Sequence, residues 1–515
     1  PDQSVTSYQD NWVTDWIEEQ TNIHLDYVYD LTGDEATQKL NLIMTDPGSM
    51  PDFFLRTGWS KAETLSYGQQ GLILPIEDML GEMENWTTMS DGHVYTYGGE
   101  NECFHCMYQH RMYIYKPWVE KYLGGKNPET TEELYNFLKM VKEDDANGNG
   151  IDDEIPMTGY IGGWASDPTV WMMNSFTQCV NPLSNTNPTV AGGLVVNNGK
   201  IEYAVMKDEY RDGLRYMHKL FEEGLLDNQT FLQDNTQFSA TIDASEGNKV
   251  AVYAGGGMEN SEFWQGVDGE WQNWEILAPV AGPDGVRYSG RGIQTYFEGC
   301  LGVVSSTCKY PEIVVALFDF MASEDAVHHI GGGPEGIAWK YTDEGVSLSG
   351  GTPTYEQITV PEDFDYVKDG GLSKTYANYR YTPDAMIQGS TAEFRGNMRV
   401  ADPSHSGEYF FQQCAELYSQ YAPDVDTLVP NLSFEGEDAK IVTEGTLTIG
   451  GYVNQALVQF IDGSLDIEKD WDAYIEKLKS MGVDEYVAAY QRTYDAYMDC
   501  LLYTSPSPRD GLLSR

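Results

Sequence analysis

The sequence predicts an α/β protein of at least two domains. Its 515 residues are too many for one ordinary hydrophobic core, and a hydrophobic content of 41% is sufficient for cores of normal size. Helical and strand-like hydrophobic periods alternate near the start of the chain, as in a sheet covered by helices. There is no apolar run of about 18 residues, so no segment is predicted to cross a membrane.

The first four predicted elements support this fold class. Residues 10–21 place apolar side chains on one helical face, and residues 23–29 alternate with a period of two, which predicts a strand. Residues 34–45 return to helical spacing, and the apolar run at 53–55 predicts a second strand. The order is therefore helix, strand, helix, strand.

Further elements follow along the chain. Thr130 and Glu133 have the spacing of a capping box ahead of a helix at 131–143. Other segments predict two helices, at 207–224 and from Pro311 onwards, a buried strand at 300–305, and a helix beginning at Trp471. A last helix carries Tyr486, Tyr490, Tyr494 and Tyr497 at helical spacing, and we interpret these side chains as packing residues.

The charge and motif content exclude several functions. Acidic residues number 81 against 31 basic ones, a formal net charge of −50, which repels nucleic-acid phosphates. No nucleotide-binding, serine-hydrolase or metalloprotease motif occurs. Cys103 and Cys106 form a C-x-x-C pair without a second zinc-ligand pair, and we interpret them as structural thiols or one local disulfide.

The sharpest local motif is a candidate calcium loop between residues 145 and 154. Calcium prefers six to eight oxygen ligands, and alternate side chains of a short loop supply them. A sharp turn at Gly150 fits this pattern. The predicted ligands are Asp145, Asn147, Asn149, the backbone carbonyl of Ile151, Asp153 and Glu154.

One position departs from the EF-hand pattern. Pro156 stands where an EF-hand has its bidentate Glu, so Asp153 or Glu154 would have to supply that oxygen pair. The alternative is a polar turn that binds no metal. If calcium binds, we expect a structural role at the end of the 131–143 helix and no part in catalysis.

Four stretches, taken together, resemble the family 1 extracellular solute-binding proteins, which capture cargo for ABC importers. They are Ser4–Leu55, Thr130–Pro156, the region from Gly282 through Pro311 to Gly336, and Trp471–Tyr497. The likeness is greatest to sugar-binding lipoproteins of Gram-positive gut bacteria and to alginate-binding proteins. Those alginate-binding relatives carry a calcium loop, and the resemblance implies the same six ligands here.

The resemblance implies a two-lobed, periplasmic-binding-protein-like fold of class II with the ligand cleft between the lobes. Residues 1–113 and 290–335 would form one lobe, and residues 114–289 and 336–500 the other. Residues 501–515 break the preceding helical pattern, and we interpret them as a non-native tail. We expect a monomer, extracellular and attached to the cell surface by a lipid anchor upstream of this sequence.

Aromatic residues in glycine-rich, irregular segments are the best candidates for sugar contacts, because the apolar faces of sugars stack on aromatic rings. Arg291, between two glycines, could bind hydroxyl groups or a carboxylate, or form a salt bridge. The full set of predicted ligand-binding residues is Trp59, Trp164, Tyr253, Trp264, Arg291 and Trp339.

The sequence therefore predicts a binding protein that delivers a carbohydrate, with an oligosaccharide as the favoured cargo, to the permease subunits of an ABC transporter. No enzymatic activity is expected. Two alternatives stay open: a binding protein for peptide or another organic solute, and a secreted glycoside hydrolase. The hydrolase would need two carboxylates about 5–9.5 Å apart.

Overall fold

The structure is a computed structural model, and it describes most of the chain. The described residues are 8–28, 33–55, 57, 59, 61–80, 88–89, 91–100, 108–179, 193–243, 247–260, 262–263, 268–290, 297–358, 360, 364, 392–400, 406–430, 432 and 434–504. The chain folds into two compact units. One comprises residues 1–103 and 294–403, and the other comprises residues 104–293 and 404–515.

The first unit is built on an antiparallel three-stranded sheet in the order β1–β9–β2. Its strands are β1 (Phe53–Leu55), β2 (Tyr97–Glu100) and β9 (Phe297–Val304), and a separate antiparallel pair joins β10 (Trp339–Tyr341) to β11 (Tyr355–Gln357). Its helices are α1 (Trp12–Thr21), α2 (Gly33–Thr45), α3 (Lys61–Gln69), α9 (Pro311–Met321), α10 (Glu324–Gly332) and α11 (Ala392–Gly396).

The second unit is built on a four-stranded sheet in the order β4–β7–β3–β8. These strands are β3 (Arg111–Tyr115), β4 (Ile155–Thr158), β7 (Val250–Gly255) and β8 (Trp274–Leu277), and β5 (Leu194–Asn197) pairs with β6 (Lys200–Tyr203) in a separate ribbon. β4 runs parallel to β7, whereas β3 is antiparallel to both β7 and β8.

The second unit also contains helices, some of which pack directly against this sheet. They are α4 (Lys116–Leu123), α5 (Thr131–Glu143), α6 (Pro168–Met173), α7 (Asp208–Glu222), α8 (Asn235–Ile242), α12 (Gly407–Ser419), α13 (Gly436–Asp462), α14 (Trp471–Ser480) and α15 (Val483–Thr504). Alternate β3 side chains enter two different cores: Met112 and Ile114 join a large aliphatic cluster, and Tyr113 joins an aromatic one. Both faces of the sheet are therefore covered, and none of the described helices has the length and apolar character needed to span a membrane.

Most of the predicted elements form. Thr130 caps α5 by accepting a hydrogen bond from the Glu133 amide at 3.1 Å, while Glu133 accepts one from the Glu129 amide at 2.8 Å. Three of the four striped tyrosines are buried as packing residues, and Tyr497 is 39% exposed.

Two predicted elements differ from the structure. Residues 22–28 form an irregular segment and no strand, although Leu25 is buried; its amide donates to Glu18 instead of a neighbouring strand. The last helix continues to Thr504, four residues into the segment interpreted as a tail, and residues 505–515 lie outside the described part.

The two compact units also divide the chain differently from the predicted lobes. Residues 336–403 fall in the first unit and not with the second. Trp339 explains this assignment physically, because its ring stacks on His328 of α10 with 4.5 Å between centroids, and Tyr355 and Phe394 pack on the same imidazole.

Two glycines of α13 provide a test of the helix packing. A Cβ on Gly445 would lie 2.3 Å from the ring of Tyr486 on α15, whereas a Cβ on exposed Gly451 would meet no atom within 4 Å. We expect Gly445→Ala to lower the free energy of unfolding by about 1–3 kcal/mol through overpacking.

Gly451→Ala is the matched control, because it adds the same methyl group to the same helix without a clash. We expect it to raise stability by about 0.5–1 kcal/mol through helix propensity. Urea unfolding followed by circular dichroism measures both, and equal effects of the two substitutions would contradict the packing of α13 on α15.

Candidate ligand-binding pocket and calcium loop

Three chain segments meet at one edge of the second sheet. Because β4 and β7 are parallel neighbours, the loops that follow Thr158 and Gly255 leave the sheet at the same edge. β3 is antiparallel to β7, with Arg111 opposite Gly255, so the residues preceding β3 arrive there as well. Ligands of open α/β sheets commonly bind outside the carboxyl ends of the strands.

A pocket of about 310 Å³ lies at this edge. The loop after β4 and the loop after β7 form two of its walls, and α8 forms a third. The lining residues are Trp164, Ser166, Asn235, Ser239, Gly257, Met258 and Glu259. The pocket thus combines one aromatic ring with hydroxyl, amide and carboxyl groups, as binding sites for polar organic ligands commonly do.

Trp164 is held in place and is nevertheless accessible. Its backbone carbonyl accepts a hydrogen bond from the Gly256 amide at 3.0 Å, and its indole Nε1 donates to Oε1 of Gln109 at 2.9 Å. A Cβ on Gly256 would lie 2.5 Å from the indole, so glycine is required for this close approach. The side chain of Trp164 is still 49% exposed. A fixed and accessible aromatic ring is the feature that stacking on a sugar requires.

Buried charge supports the loop beneath the pocket. Arg111 is fully buried, and its guanidinium donates to the Gly256 carbonyl and lies 4.7 Å above the ring of Phe411. His110, beside it, is 5% exposed, and its Nδ1 has no hydrogen-bond partner among the described residues. Arg111 therefore connects the start of β3 to the glycine on which Trp164 rests.

Glu259 is the one carboxylate among the described residues that line the pocket. Its Oε2 accepts a hydrogen bond from the Ser239 hydroxyl at 2.6 Å. Burial raises the pKa of this carboxyl, and the serine hydrogen bond opposes the rise. Neither residue was predicted from the sequence, because nothing local distinguishes this Glu from the other acidic residues; only the β4–β7 pairing brings it to Trp164.

The structure places the other predicted ligand-binding residues differently. Tyr253 lies in the middle of β7 with no exposed surface, between Tyr113 and Trp274. Trp59 is 8% exposed and packs on Phe54 and Tyr67.

Trp339 is likewise enclosed: it is 3% exposed, and its Nε1 donates to the Gly333 carbonyl at 2.8 Å. Packing therefore buries the rings of Tyr253, Trp59 and Trp339. The glycines near them in the sequence do not indicate this burial. Trp264 and Arg291, like the Cys103–Cys106 pair, lie outside the described residues.

The predicted calcium loop folds into a compact turn immediately before β4. Three polar side chains accept hydrogen bonds from backbone amides within the loop: Asp145 from Gly150 at 2.8 Å, Asn147 from Asn149 at 3.0 Å, and Asn149 from Ile151 at 2.7 Å. Gly150 has a φ of +78°, a value that favours glycine. The turn at Gly150 therefore brings the oxygen atoms of the predicted calcium ligands close together.

Asp153 and Glu154 also accept hydrogen bonds from residues of the loop. The side-chain amides of Asn147 and Asn149 donate to Oδ1 of Asp153 at 3.2 and 3.0 Å, and Nζ of Lys249 lies 2.9 Å from Oδ2. The ion pair with Lys249, followed by the two amides, lowers the pKa of Asp153. Oε1 of Glu154 accepts a hydrogen bond from the backbone amide of Asn147 at 3.2 Å.

These residues fit a hard cation by their donor chemistry, since carboxylate, amide and carbonyl oxygens surround one turn. A cation would have to displace the amide N–H groups from Asp153. Over the described parts of the chain, no group of three or more His, Cys, Asp and Glu side chains is arranged to hold a metal. Any metal site here therefore depends on the amide and carbonyl oxygens as well as on the carboxylates.

No family model matches the sequence. The fructooligosaccharide ABC transporter substrate-binding protein FusA of Streptococcus pneumoniae is 24% identical over 510 residues, which cover 93% of this chain and 86% of FusA. The chain is thus similar to a substrate-binding protein over nearly its whole length.

Solved structures of similar proteins share the fold. A FusA EF-hand mutant in complex with fructo-nystose has a TM-score of 0.70 and 21% identity, covering 96% of this chain and 98% of that one. An HMO-binding, ABC-transporter-associated solute-binding protein from Bifidobacterium longum infantis gives 0.73 and 22%, covering 96% and 97%. The alginate-binding protein AlgQ2 without calcium ion gives 0.61 and 17%, covering 96% of each chain.

These likenesses confirm the predicted α/β fold class and the predicted resemblance to the solute-binding proteins of ABC transporters.

The buried imidazole of His110 makes a pH dependence of stability testable. Burial, with a smaller contribution from Arg111, lowers its pKa to about 4 from an ordinary 6.5. The folded state therefore disfavours the protonated form, and stability is lost as the pH falls from about 6.5 towards 4. We expect a loss of about 2 kcal/mol from this residue between pH 7 and pH 5.

Urea unfolding of the wild type and of His110→Leu at both pH values measures this loss, which should shrink in the variant. His93→Gln is the control: hydrogen bonding to Glu77 raises the pKa of His93, so its removal should leave the acid-induced loss in place. An identical loss of stability in the wild type and in His110→Leu would contradict the assignment of this loss to His110.

Proposed function

We propose that this protein is the extracellular solute-binding subunit of an ABC importer, and that it binds an oligosaccharide and delivers it to the permease. The observation that carries the proposal is the pocket at the carboxyl edge of the second sheet, where an anchored and accessible indole stands among hydroxyl, amide and carboxyl groups. The similarity to FusA along 93% of the chain supports the same function.

The pocket chemistry favours a sugar over the other candidates. A glycoside hydrolase needs two carboxylates across the scissile bond, whereas Glu259 is the one carboxylate in the lining of the described pocket. The relatives found by sequence and by structure are binding proteins, which also argues against an enzyme. A peptide would need partners for its two charged ends, and the lining supplies one charged group.

Among the predicted ligand-binding residues, the proposal rests on Trp164. Stacking of a pyranose or furanose ring on its exposed surface would bury apolar C–H groups, while Asn235, Ser239 and Glu259 lie near enough to the pocket to bind hydroxyl groups. Tyr253 has no exposed surface and would act only indirectly, because it lies within the strand that leads to the Gly257 loop and packs on Tyr113 and Trp274.

We also propose that the loop at 145–154 binds one structural calcium ion. The ligands would be Asp145, Asn147, Asn149, the Ile151 carbonyl, Asp153 and Glu154. The inward arrangement of these side chains supports it. Two similar proteins support it as well, because the FusA structure is that of an EF-hand mutant and the AlgQ2 structure is that of the protein without calcium ion. The ion would supply positive charge that holds the turn between α5 and β4, and it would have no catalytic part.

Loss of the exposed ring should abolish most sugar binding. We expect Trp164→Ala to weaken the affinity for the bound oligosaccharide at least about 30-fold, roughly 2 kcal/mol, because the stacking surface is removed. Isothermal titration calorimetry with a panel of oligosaccharides measures the change.

Tyr497→Ala is the control for this test, because it removes an aromatic ring that is 39% exposed on α15, in the same unit but outside the pocket lining. We expect its affinity to stay within about threefold of the wild type. Unchanged binding in Trp164→Ala, or reducing sugar released by the wild type, would contradict the proposal.

Calcium should stabilise the protein through the loop. We expect added calcium to raise the melting temperature after chelation, and Asp153→Asn to weaken calcium binding at least about tenfold because a charged ligand is lost. Lys249→Met should strengthen it, since Nζ of Lys249 pairs with the same carboxylate.

Glu209→Gln serves as the charge-matched control, since Glu209 is an exposed residue of α7 in the same unit. Calorimetry that shows no calcium binding to the wild type, or equal binding to the wild type and Asp153→Asn, would rule out the proposed site.

A further inference from the structure

The described lining of the pocket contains a single charged side chain. Seven residues line the pocket, and one of them, Glu259, carries a charge. Among the described residues, the lining contains no Lys or Arg that could pair with a carboxylate of the ligand. The nearby guanidinium of Arg111 is fully buried, donates to the Gly256 carbonyl and faces the ring of Phe411, so it is engaged beneath the loop.

The hydrogen bonding of Glu259 leaves it able to serve a hydroxyl group. Ser239 donates to Oε2 at 2.6 Å, which fixes the orientation of the carboxyl group. Oε1 accepts no side-chain hydrogen bond from the described residues, and it is an acceptor for which a sugar hydroxyl is a suitable donor. A ligand carboxylate in the same place would instead bring two like charges together in a partly enclosed site.

We infer that the pocket is specific for neutral oligosaccharides, with Glu259 as the residue that excludes uronic acids. This inference rests on the proposed function and names its substrate class. Burial of the Glu259 carboxyl, which raises its pKa, is consistent with a site that disfavours added negative charge.

Matched pairs of sugars test the inference. Trigalacturonate and α-1,4-galactotriose share their linkage and differ at C6, as do trimannuronate and β-1,4-mannotriose, and a wider panel of neutral fructo-, gluco- and galacto-oligosaccharides identifies the tightest neutral ligand. Calorimetry on the full chain at pH 7.5 with calcium should show binding to a neutral sugar and at least about tenfold weaker binding of every uronate.

Glu259→Gln separates the role of charge from that of shape. The amide keeps an acceptor oxygen but lacks the charge, so the affinity for the neutral ligand should fall about tenfold, because the charge-assisted hydrogen bond is lost. The ratio of uronate to neutral dissociation constants should fall at least about fivefold. Glu209→Gln removes the same charge outside the pocket and should change neither quantity.

The outcomes distinguish the two proposals. A uronate bound as tightly as the best neutral sugar, an amino-oligosaccharide bound more tightly than it, or an unchanged ratio in Glu259→Gln, overturns the inference and leaves the sugar-binding function standing. Binding of a peptide, with no sugar bound at all, overturns the proposed function and the inference with it.

Discussion

The parallel pairing of β4 with β7 is the constraint on which the candidate site depends. The two strands are separated by about ninety residues of chain, yet their register sets Thr158 opposite Tyr253, so the segments that follow must leave the sheet together. Backbone hydrogen bonding then joins Gly256 to Trp164. Without this pairing, the indole, the Gly257 loop and Glu259 would have no reason to meet.

Each end of this strand pair is held by a different contact. At the start, the Lys249 carbonyl accepts a hydrogen bond from the Ile155 amide, and Nζ of Lys249 pairs with Asp153 of the 145–154 loop. At the finish, Trp164 packs on Gly256, whose carbonyl accepts from Arg111. The 145–154 loop therefore contacts β4 and β7 at their starts, and the pocket residues contact the same strands at their ends. The two strands connect the loop to the pocket.

Local patterns predicted the elements well and the site only in part. The capping box at Thr130 and the helical stripes depend on neighbours within a few residues, and the 145–154 loop brings its oxygen atoms together through one short turn, so the sequence alone could predict these local structures. Trp164 was predicted because glycines precede it, and the structure places it in the pocket lining. Glu259 and Ser239 were missed because their role arises from long-range contacts, which no local signal carries.

The buried aromatic residues show the same limit of local sequence patterns. Tyr253 and Trp339 lie near glycines just as Trp164 does, yet one fills the centre of a strand and the other stacks on His328. A glycine near an aromatic residue indicates close packing of a ring against the backbone, and that packing occurs in cores as well as in pockets. What distinguishes Trp164 is that its neighbours are loops at the edge of a sheet, so the ring is anchored by hydrogen bonds and stays 49% exposed. A ring fixed in this way loses little conformational freedom when a sugar stacks on it, and more of the contact energy then appears as affinity.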